Sequence, residues 1–264
     1  MKSREKKIIS GPYLEVEHFP VTAHGHRHDC KRKRSRIEQQ NLNERNAKKK
    51  LERLVNTNFV KGDICIHFTY RDDERPETEK KVLKDVQNYI RRVKYYRQKN
   101  GLPQIKYIYV IECSEKGKLH IHGIMSAMDR DTAEELWKHG DFNNADRFQP
   151  TVQEGGKRFA DYISKKPMGT KRWYCSTNLK QPEVKTKDGT HTRPEMARIA
   201  RERVDDKDYW ERQYKGYRFV SATPTYNEFN GWWYIYVRMY RDERLAAAKQ
   251  KQGKTLCKNL HQRI

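Results

Sequence analysis

The sequence predicts an α+β fold with an antiparallel sheet, in the split βαβ arrangement of ferredoxin-like and RRM-like domains, extended by helices and a β-hairpin. Three segments rich in β-branched and aromatic residues predict strands, at residues 64–70, 105–113 and 119–125. A segment with helical periodicity, residues 78–99, separates the first two. A further helix and strand follow the third, which gives the order β-α-β-β-α-β.

The N-terminal part is predicted to be an extension covering residues 1–57. Residues 1–33 have an irregular pattern and are followed by a basic stretch. Residues 35–56 carry apolar side chains at helical spacing in a charged background, which predicts a long basic helix. Its narrow apolar stripe favours packing against the neighbouring domain.

The central domain is predicted to cover residues 58–182. The segment Gly101-Leu102-Pro103 terminates its first helix. Gly117 lies in the short loop between the second and third strands and suits a hairpin there. A short helix at 132–139, a strand at 147–152 and a helix at 155–165 follow. That helix ends before Pro167, because the residue before a proline disfavours helical geometry. Residues 172–176 are predicted to form an edge strand.

Residues 183–240 are predicted to be a helical and β-hairpin extension that packs on the core. The pattern is loop-like after Leu179, helical at about 194–214, and rich in aromatic residues at 217–240. A turn at Asn230 and Gly231 makes the last segment a hairpin. Residues 241–264 are a basic tail.

Composition restricts the partners and the compartment. The 264 residues carry a net charge of +22, which favours a polyanionic partner through release of its counterions. No run of 18 apolar residues is present, and the basic start of the chain has no apolar segment behind it, so we expect neither a membrane span nor export. The five cysteines are scattered and form no CxxC pair, which indicates a reducing compartment, with the cytoplasm as the default.

A histidine-rich segment near the N-terminus has two interpretations. His24, His26, His28 and Cys30 are metal-ligand types at alternate positions, so a zinc site is conceivable. The surrounding glycine and charged residues favour a solvated loop instead.

A second histidine pair, in the segment KLHIHGIM, lies within the third strand. His120 and His122 are two residues apart and therefore project from one face of that strand. If Cys113 pairs with Leu119 across the hairpin, Glu112 lies opposite His120, with Cβ atoms roughly 5 Å apart. Two imidazoles and a carboxylate on one face predict a divalent-metal site with open positions for substrate. The alternative is an ordinary strand with surface histidines, and a bulge in the hairpin would break the register.

A metal site in a strongly basic protein suggests a phosphodiester substrate. Tyr162 is a candidate nucleophile, because the helix that carries it also carries Lys165 three residues further on. A tyrosine hydroxyl has a pKa near 10, so a neighbouring ammonium group would help to form the phenolate. Most of the 16 tyrosines are interpreted as packing residues. Taken alone, the segment around Tyr162 favours the same interpretation for Tyr162.

Three segments taken together, FTY (residues 68–70), HIH (120–122) and YISK (162–165), resemble the motifs of HUH endonucleases. These are the rolling-circle replication initiators of plasmids, phages and circular single-stranded DNA viruses. More closely, the chain resembles replication-associated proteins related to the gene II protein of filamentous phages. Bacterial members of that group are often encoded on plasmids or integrative elements, so the resemblance implies the cytoplasm of a bacterial host cell. The resemblance covers residues 58–182 and extends, without known chemistry, to 226–239.

The resemblance implies a site-specific nick in single-stranded DNA, a 5′-phosphotyrosine intermediate and dependence on Mg²⁺ or Mn²⁺. It implies that His120 and His122 bind the metal with Glu112 as third ligand, that Tyr162 is the nucleophile, and that Lys165 assists it. Some relatives use two tyrosines on this helix. Residues three or four positions either side of Tyr162 are not tyrosines, which indicates a one-tyrosine enzyme with Tyr174 as the reserve candidate.

Basic and aromatic residues near the predicted site are candidates for DNA contact, namely Lys166, Lys171, Arg172 and Trp173. The last three would equally suit a solvated basic edge with a buried tryptophan. The chain has no GxxxxGK[ST] loop, so single-stranded or hairpin DNA at an origin would have to be unwound by a host helicase and copied by host replication machinery.

Two alternatives to replication initiation remain open at this point. A relaxase or a single-strand transposase would use the same chemistry on a different DNA. A non-catalytic single-strand-binding protein would use surface aromatics of a ferredoxin-like sheet, for which Tyr107 and Tyr109 are suitable.

Overall fold

The computed structural model describes residues 2–21, 37–114, 117–141, 143–164 and 171–242. Over these residues the fold is α+β, with two five-stranded antiparallel sheets and six α-helices. Contacts divide the chain into two units. The first, called the central unit, is residues 35–181, and the second, called the outer unit, is residues 1–34 with 182–264.

The elements follow one another as β1 (Lys2–Ser10), β2 (Tyr13–Val21), α1 (Ile37–Asn58), β3 (Ile64–Phe68), α2 (Glu79–Lys99), β4 (Tyr107–Cys113), β5 (Leu119–Met125), α3 (Arg130–Glu135), β6 (Asn144–Arg147), α4 (Lys157–Ile163), β7 (Tyr174–Cys175), β8 (Glu183–Asp188), α5 (Arg193–Glu202), α6 (Lys207–Gln213), β9 (Tyr217–Asn227) and β10 (Trp232–Arg241).

The sheet of the central unit has the strand order β6-β3-β5-β4-β7. Its first four strands therefore have the 4-1-3-2 order of a split βαβ domain, and every neighbouring pair is antiparallel. The predicted ferredoxin-like fold is confirmed. The two-residue strand β7 extends the sheet at the β4 edge.

Helix α2 covers one face of this sheet. The Thr78 side chain accepts a hydrogen bond from the Lys81 backbone N–H at the start of the helix. The apolar stripe predicted from periodicity is buried, and it packs with strand residues that include Phe68, Ile121 and Met125. Full burial of one such side chain contributes about 1.5–3 kcal/mol, so this face holds the helix firmly.

Helices α1 and α4 cover the opposite face. Leu51, Leu54 and Val55 of α1 form a cluster with strand residues such as Val110 and Ile124. The predicted stripe of the long basic helix is thus buried at its C-terminal part. Towards the other end Leu42 is exposed, so the stripe is not continuous.

The sheet of the outer unit has the strand order β8-β1-β2-β10-β9. Helices α5 and α6 pack on one of its faces through Met196, Ile199 and Trp210, against strand residues such as Val16 and Val237. The predicted hairpin is present as β9 and β10, and the predicted helical segment is divided into two helices.

The prediction that residues 1–33 are irregular is wrong for residues 2–21. They form β1 and β2, because cross-strand ion pairs such as Lys6–Glu17 accommodate the charged side chains that obscured the strand pattern. Strand β8, predicted as loop, pairs with β1 at the edge of the sheet, and Arg4 forms an ion pair with Asp188 there. A highly charged edge strand lacks the apolar alternation that identifies a strand from sequence.

These strands explain why the two units differ from the predicted domain boundaries. Residues 2–21 pair with strands after residue 182, whereas α1 belongs to the central unit. The predicted N-terminal extension, residues 1–57, is therefore shared between the units. The histidine-rich segment around His24 and most of the basic tail lie outside the described residues.

Within the described parts of the chain, none of the helices combines the length and apolar character needed to cross a membrane.

Candidate active site

The hairpin of β4 and β5 has the register predicted from sequence. Cys113 pairs with Leu119, Glu112 with His120, and Val110 with His122, with no bulge between them. Residues that pair directly across a ladder project from the same face. Glu112, His120 and His122 consequently share the face that α1 and α4 cover, since Val110 packs with those helices.

The carboxylate of Glu112 contacts the imidazole of His122, which lies diagonally across the β4–β5 ladder. Its Oε2 lies 3.5 Å from Nε2 of His122, whose side chain is almost fully buried. Burial, followed by the charges of His67 and His120, lowers the pKa of His122 to about 3. The ring is therefore neutral at physiological pH, and the contact with Glu112 is a polar contact rather than an ion pair.

A third histidine, His67, belongs to this group, although it was not among the site residues predicted from the sequence. It lies on β3 directly opposite His122, and the two rings stack with centroids 4.3 Å apart and an interplanar angle of 18°. Its Nε2 is 3.4 Å from Nδ1 of His120. The available signal was its position one residue before the FTY segment, but only the pairing of β3 with β5 reveals its neighbours.

Burial is the first cause of a lowered pKa for His67 and for His120 as well. The group thus offers neutral imidazole nitrogens beside a carboxylate, which is the donor chemistry that Mg²⁺, Mn²⁺ and related divalent ions accept. The donor atoms are not preassembled, however. In the described ranges, no three His, Cys, Asp or Glu side chains are arranged so that they could hold a metal ion.

Tyr162 projects from α4 onto the same face. Its ring makes an edge-to-face contact with the ring of His122, with centroids 5.0 Å apart and an interplanar angle of 88°. The side chain is about half exposed, at 49%. Burial raises the pKa of Tyr162, and the negative charge of Glu112 raises it further, so the phenol keeps its proton at neutral pH.

The position of Tyr162 depends on close packing of α4 against α1. Ala160 and Ile163 are buried on either side of it. The backbone N–H of Gly156, at the start of α4, donates to Oδ1 of Asn56 over 2.7 Å. A Cβ atom at Gly156 would lie only 2.6 Å from Cγ1 of Val55, so glycine permits this close approach.

Phe68, the first residue of the FTY segment, projects from the face of the sheet opposite the histidines. Phe68 is buried on the α2 side of the sheet, where its ring stacks on Trp137 with centroids 5.1 Å apart. The Trp137 indole N–H donates to the backbone carbonyl of Thr69. This segment therefore contributes to the core.

Tyr174, the reserve nucleophile, lies on β7 on the α2 side of the sheet. It pairs with Tyr109, the two rings stack with centroids 5.2 Å apart, and its hydroxyl donates to Glu79 over 2.7 Å. Because the histidines project from the opposite face, the structure does not bring Tyr174 to them.

The predicted DNA-contacting residues are partly described. Lys171 and Arg172 are exposed. Trp173 is half-buried and packs against the apolar cluster that α1 and α4 form with the sheet. Lys165 and Lys166 lie outside the described residues.

A ferredoxin-like sheet with a histidine pair on a central strand, and a tyrosine on the helix that covers it, is compatible with an HUH-type fold. Residues 63–167 match the family of replication-associated proteins that is named for ORF2 and the gene II protein. This match confirms the recognition drawn from the three motifs, since residues 63–167 are similar to replication-associated proteins. The matched range contains Glu112, His120, His122 and Tyr162, and it ends before Lys171. Neither the curated proteins nor the solved structures contain a significant match to the chain.

Proposed function

We propose that the central unit nicks single-stranded DNA through Tyr162 and can rejoin the cut strand, and thereby initiates rolling-circle replication of a plasmid, phage or integrative element. The observation that supports this is the contact of the Tyr162 ring with His122, on the face that also carries Glu112 and His120. The match to replication-associated proteins supports the biological role.

His120, His122 and Glu112 would hold a Mg²⁺ or Mn²⁺ ion after a change of side-chain rotamers. When bound, such an ion polarises a non-bridging phosphate oxygen and stabilises the negative charge that develops at phosphorus. His67 would orient the two imidazoles, since it stacks on His122 and lies within hydrogen-bonding range of His120.

In the proposed step the hydroxyl oxygen of Tyr162 attacks the phosphorus of the scissile phosphodiester. The bond from phosphorus to the 3′ oxygen breaks, and the proton lost by the phenol is balanced by protonation of that oxygen. One phosphate ester is exchanged for another, so the cut can be resealed and the free 3′ hydroxyl can prime synthesis. Because Glu112 and burial disfavour the phenolate, positive charge at this site is required, and Lys165 is the proposed helper.

The test is a hairpin oligonucleotide labelled at its 3′ end, on the fragment whose 5′ phosphate would become joined to the tyrosine, incubated with the protein and Mn²⁺. We expect a covalent protein–DNA adduct for the natural sequence and for Tyr174→Phe, and none for Tyr162→Phe, which should still bind the hairpin. An adduct that persists in Tyr162→Phe would assign the nucleophile elsewhere.

The same experiment addresses the alternative of a non-catalytic single-strand-binding protein. That alternative gains support because the donor atoms are not preassembled in the described part of the chain. A binding protein would shift the hairpin and leave it intact at every Mn²⁺ concentration. A relaxase or transposase would form the adduct as well, and the preferred DNA would separate it from a replication initiator.

A further inference from the structure

A groove lies on the face of the central sheet opposite the histidines, between α2 and the β7 edge. It consists of two adjoining cavities of about 680 Å³ and 190 Å³, and both are lined by Lys94 and Tyr107. The larger has a volume typical of small-ligand sites. None of the residues assigned a role in nicking lines it.

The lining of this groove is basic and polar. Arg91 and Lys94 contribute two exposed cations, and the described residues that line the two cavities include no carboxylate. Arg97 also lines the larger cavity, but it is buried and donates to the backbone carbonyls of Pro103 and Ala127. Amide side chains lie at the larger cavity, among them Gln98 and Gln104. Such a lining matches an anionic ligand with hydrogen-bonding edges.

Aromatic rings continue the groove towards the edge of the sheet. The rings of Tyr107 and Tyr109 are stacked with centroids 6.0 Å apart, and Tyr109 stacks in turn on Tyr174 at 5.2 Å. The Nζ of Lys171 lies over the Tyr174 ring, 5.6 Å from its centroid. Tyr107 is only partly buried and lines both cavities, so its ring can be reached from the groove.

From this combination we infer that the groove binds unpaired DNA nucleotides at a second site, separate from the site of the nick. The cations contact the phosphates, and a base stacks on Tyr107, as in sequence-tolerant single-strand recognition. This inference depends on the charge and the aromatic residues of the groove. It does not depend on nicking, and would hold equally for a binding protein without catalytic activity.

The two sites are related through β4. Tyr107 and Glu112 are five positions apart on this strand, roughly 16 Å, and their side chains project from opposite faces. A DNA strand that occupies both sites therefore has to pass around the short edge strand β7, beside the exposed Lys171 and Arg172. The groove would hold the substrate strand several nucleotides away from the cut.

The first test is a charge reversal measured by fluorescence anisotropy with labelled oligothymidylate. Lys94→Glu should weaken binding on the order of tenfold at about 50 mM salt and reduce the salt dependence by about one ion. Lys84→Glu is the matched control, since Lys84 is an exposed lysine of the same helix that does not line the groove. Equal effects of the two changes would overturn the inference.

The second test separates stacking from charge. Tyr107→Leu keeps an apolar side chain and should weaken oligothymidylate binding about fivefold or more, with little effect on an abasic oligonucleotide of equal length. Thermal unfolding monitors whether the variant folds. Equal weakening for both ligands, in a folded variant, would contradict base stacking at this position.

The third test leaves the groove itself unchanged, because the exposed Cys175 lines the larger cavity. Its alkylation by a bulky maleimide, quantified by peptide mapping, should slow at least severalfold when oligothymidylate is present and much less with the abasic oligonucleotide. Unchanged alkylation under saturating oligothymidylate would exclude the groove as a DNA site. Protection measured with Tyr162→Phe is independent of nicking, so failure of the proposed reaction and failure of this site can be told apart.

Discussion

The imidazole rings of His67 and His122 stack with their centroids 4.3 Å apart, although they belong to separate strands, β3 and β5. This contact adds a third histidine to the pair that the sequence reveals. It restricts how the ring of His122 can turn and presents His67 Nε2 to His120. A group of this kind is expected to tune metal binding by orienting the ligands.

We predict that His67→Ala lowers the affinity for Mn²⁺ by about 10- to 100-fold, because the ligands lose their orienting neighbour. Titration calorimetry with Mn²⁺ alone measures this without any reaction. His191→Gln, in the outer unit, should leave the affinity unchanged. If His67→Ala binds Mn²⁺ as tightly as the natural sequence, His67 is only a packing residue.

Glu112→Gln should lower the pKa of Tyr162 in metal-free protein. The carboxylate raises this pKa now, so its removal lets the phenol lose its proton at lower pH. The shift can be read as the difference in tyrosinate absorbance between Glu112→Gln and the double variant with Tyr162→Phe. Asp161→Asn, which changes the carboxylate next to Tyr162 in sequence, is the control. An upward shift in Glu112→Gln would contradict the assigned electrostatics.

Gly156→Ala should displace α4 and therefore lower the yield of the covalent adduct, even at temperatures at which the variant is still folded. The added Cβ would meet Val55 at 2.6 Å, and such overpacking typically costs about 1–3 kcal/mol. Adduct yield and thermal unfolding are measured together, with Lys157→Ala as the exposed neighbour for comparison. Full adduct yield in Gly156→Ala would mean that the position of Tyr162 tolerates movement of its helix.

The outer unit should lose stability between pH 6.5 and pH 4 through His18. Burial, followed by the charge of His191, lowers the pKa of His18 to about 4, and its Nε2 lies 3.1 Å from the Tyr214 hydroxyl, which donates to Glu5. A histidine has a pKa near 6.5 when unfolded, so the folded state binds fewer protons. The stabilisation is complete above pH 6.5 and decreases as the pH falls towards 4, by about 3 kcal/mol in total.

This loss can be measured as the fall in Tm from pH 7 to pH 4.5. His18→Gln keeps an N–H for Tyr214 and cannot be protonated in this range, so its Tm should fall less than that of the natural sequence. His139→Gln, in the central unit, should behave like the natural sequence. A parallel fall in all three proteins would remove His18 as the cause.

The sequence by itself determined the order of elements from residue 64 to 163 and the register of the β4–β5 hairpin. Both depend on local information, namely side-chain periodicity and a short loop, so Glu112 could be placed opposite His120 without coordinates. The resemblance carried by three short motifs is confirmed by the family match to residues 63–167, and each motif is likewise a local pattern of three or four residues.

Only the tertiary structure decided which distant segments meet. The pairing of β3 with β5 brings His67 to His122, packing of α4 on α1 brings Tyr162 to the same ring, and β1 joins β8 across most of the chain. Long-range contacts of this kind depend on the burial of whole faces and on chain closure, which no window of neighbouring residues encodes. For the same reason the groove beside α2 could not be predicted, since its lining comes from a helix, the loop after it, two strands and the segment after β7.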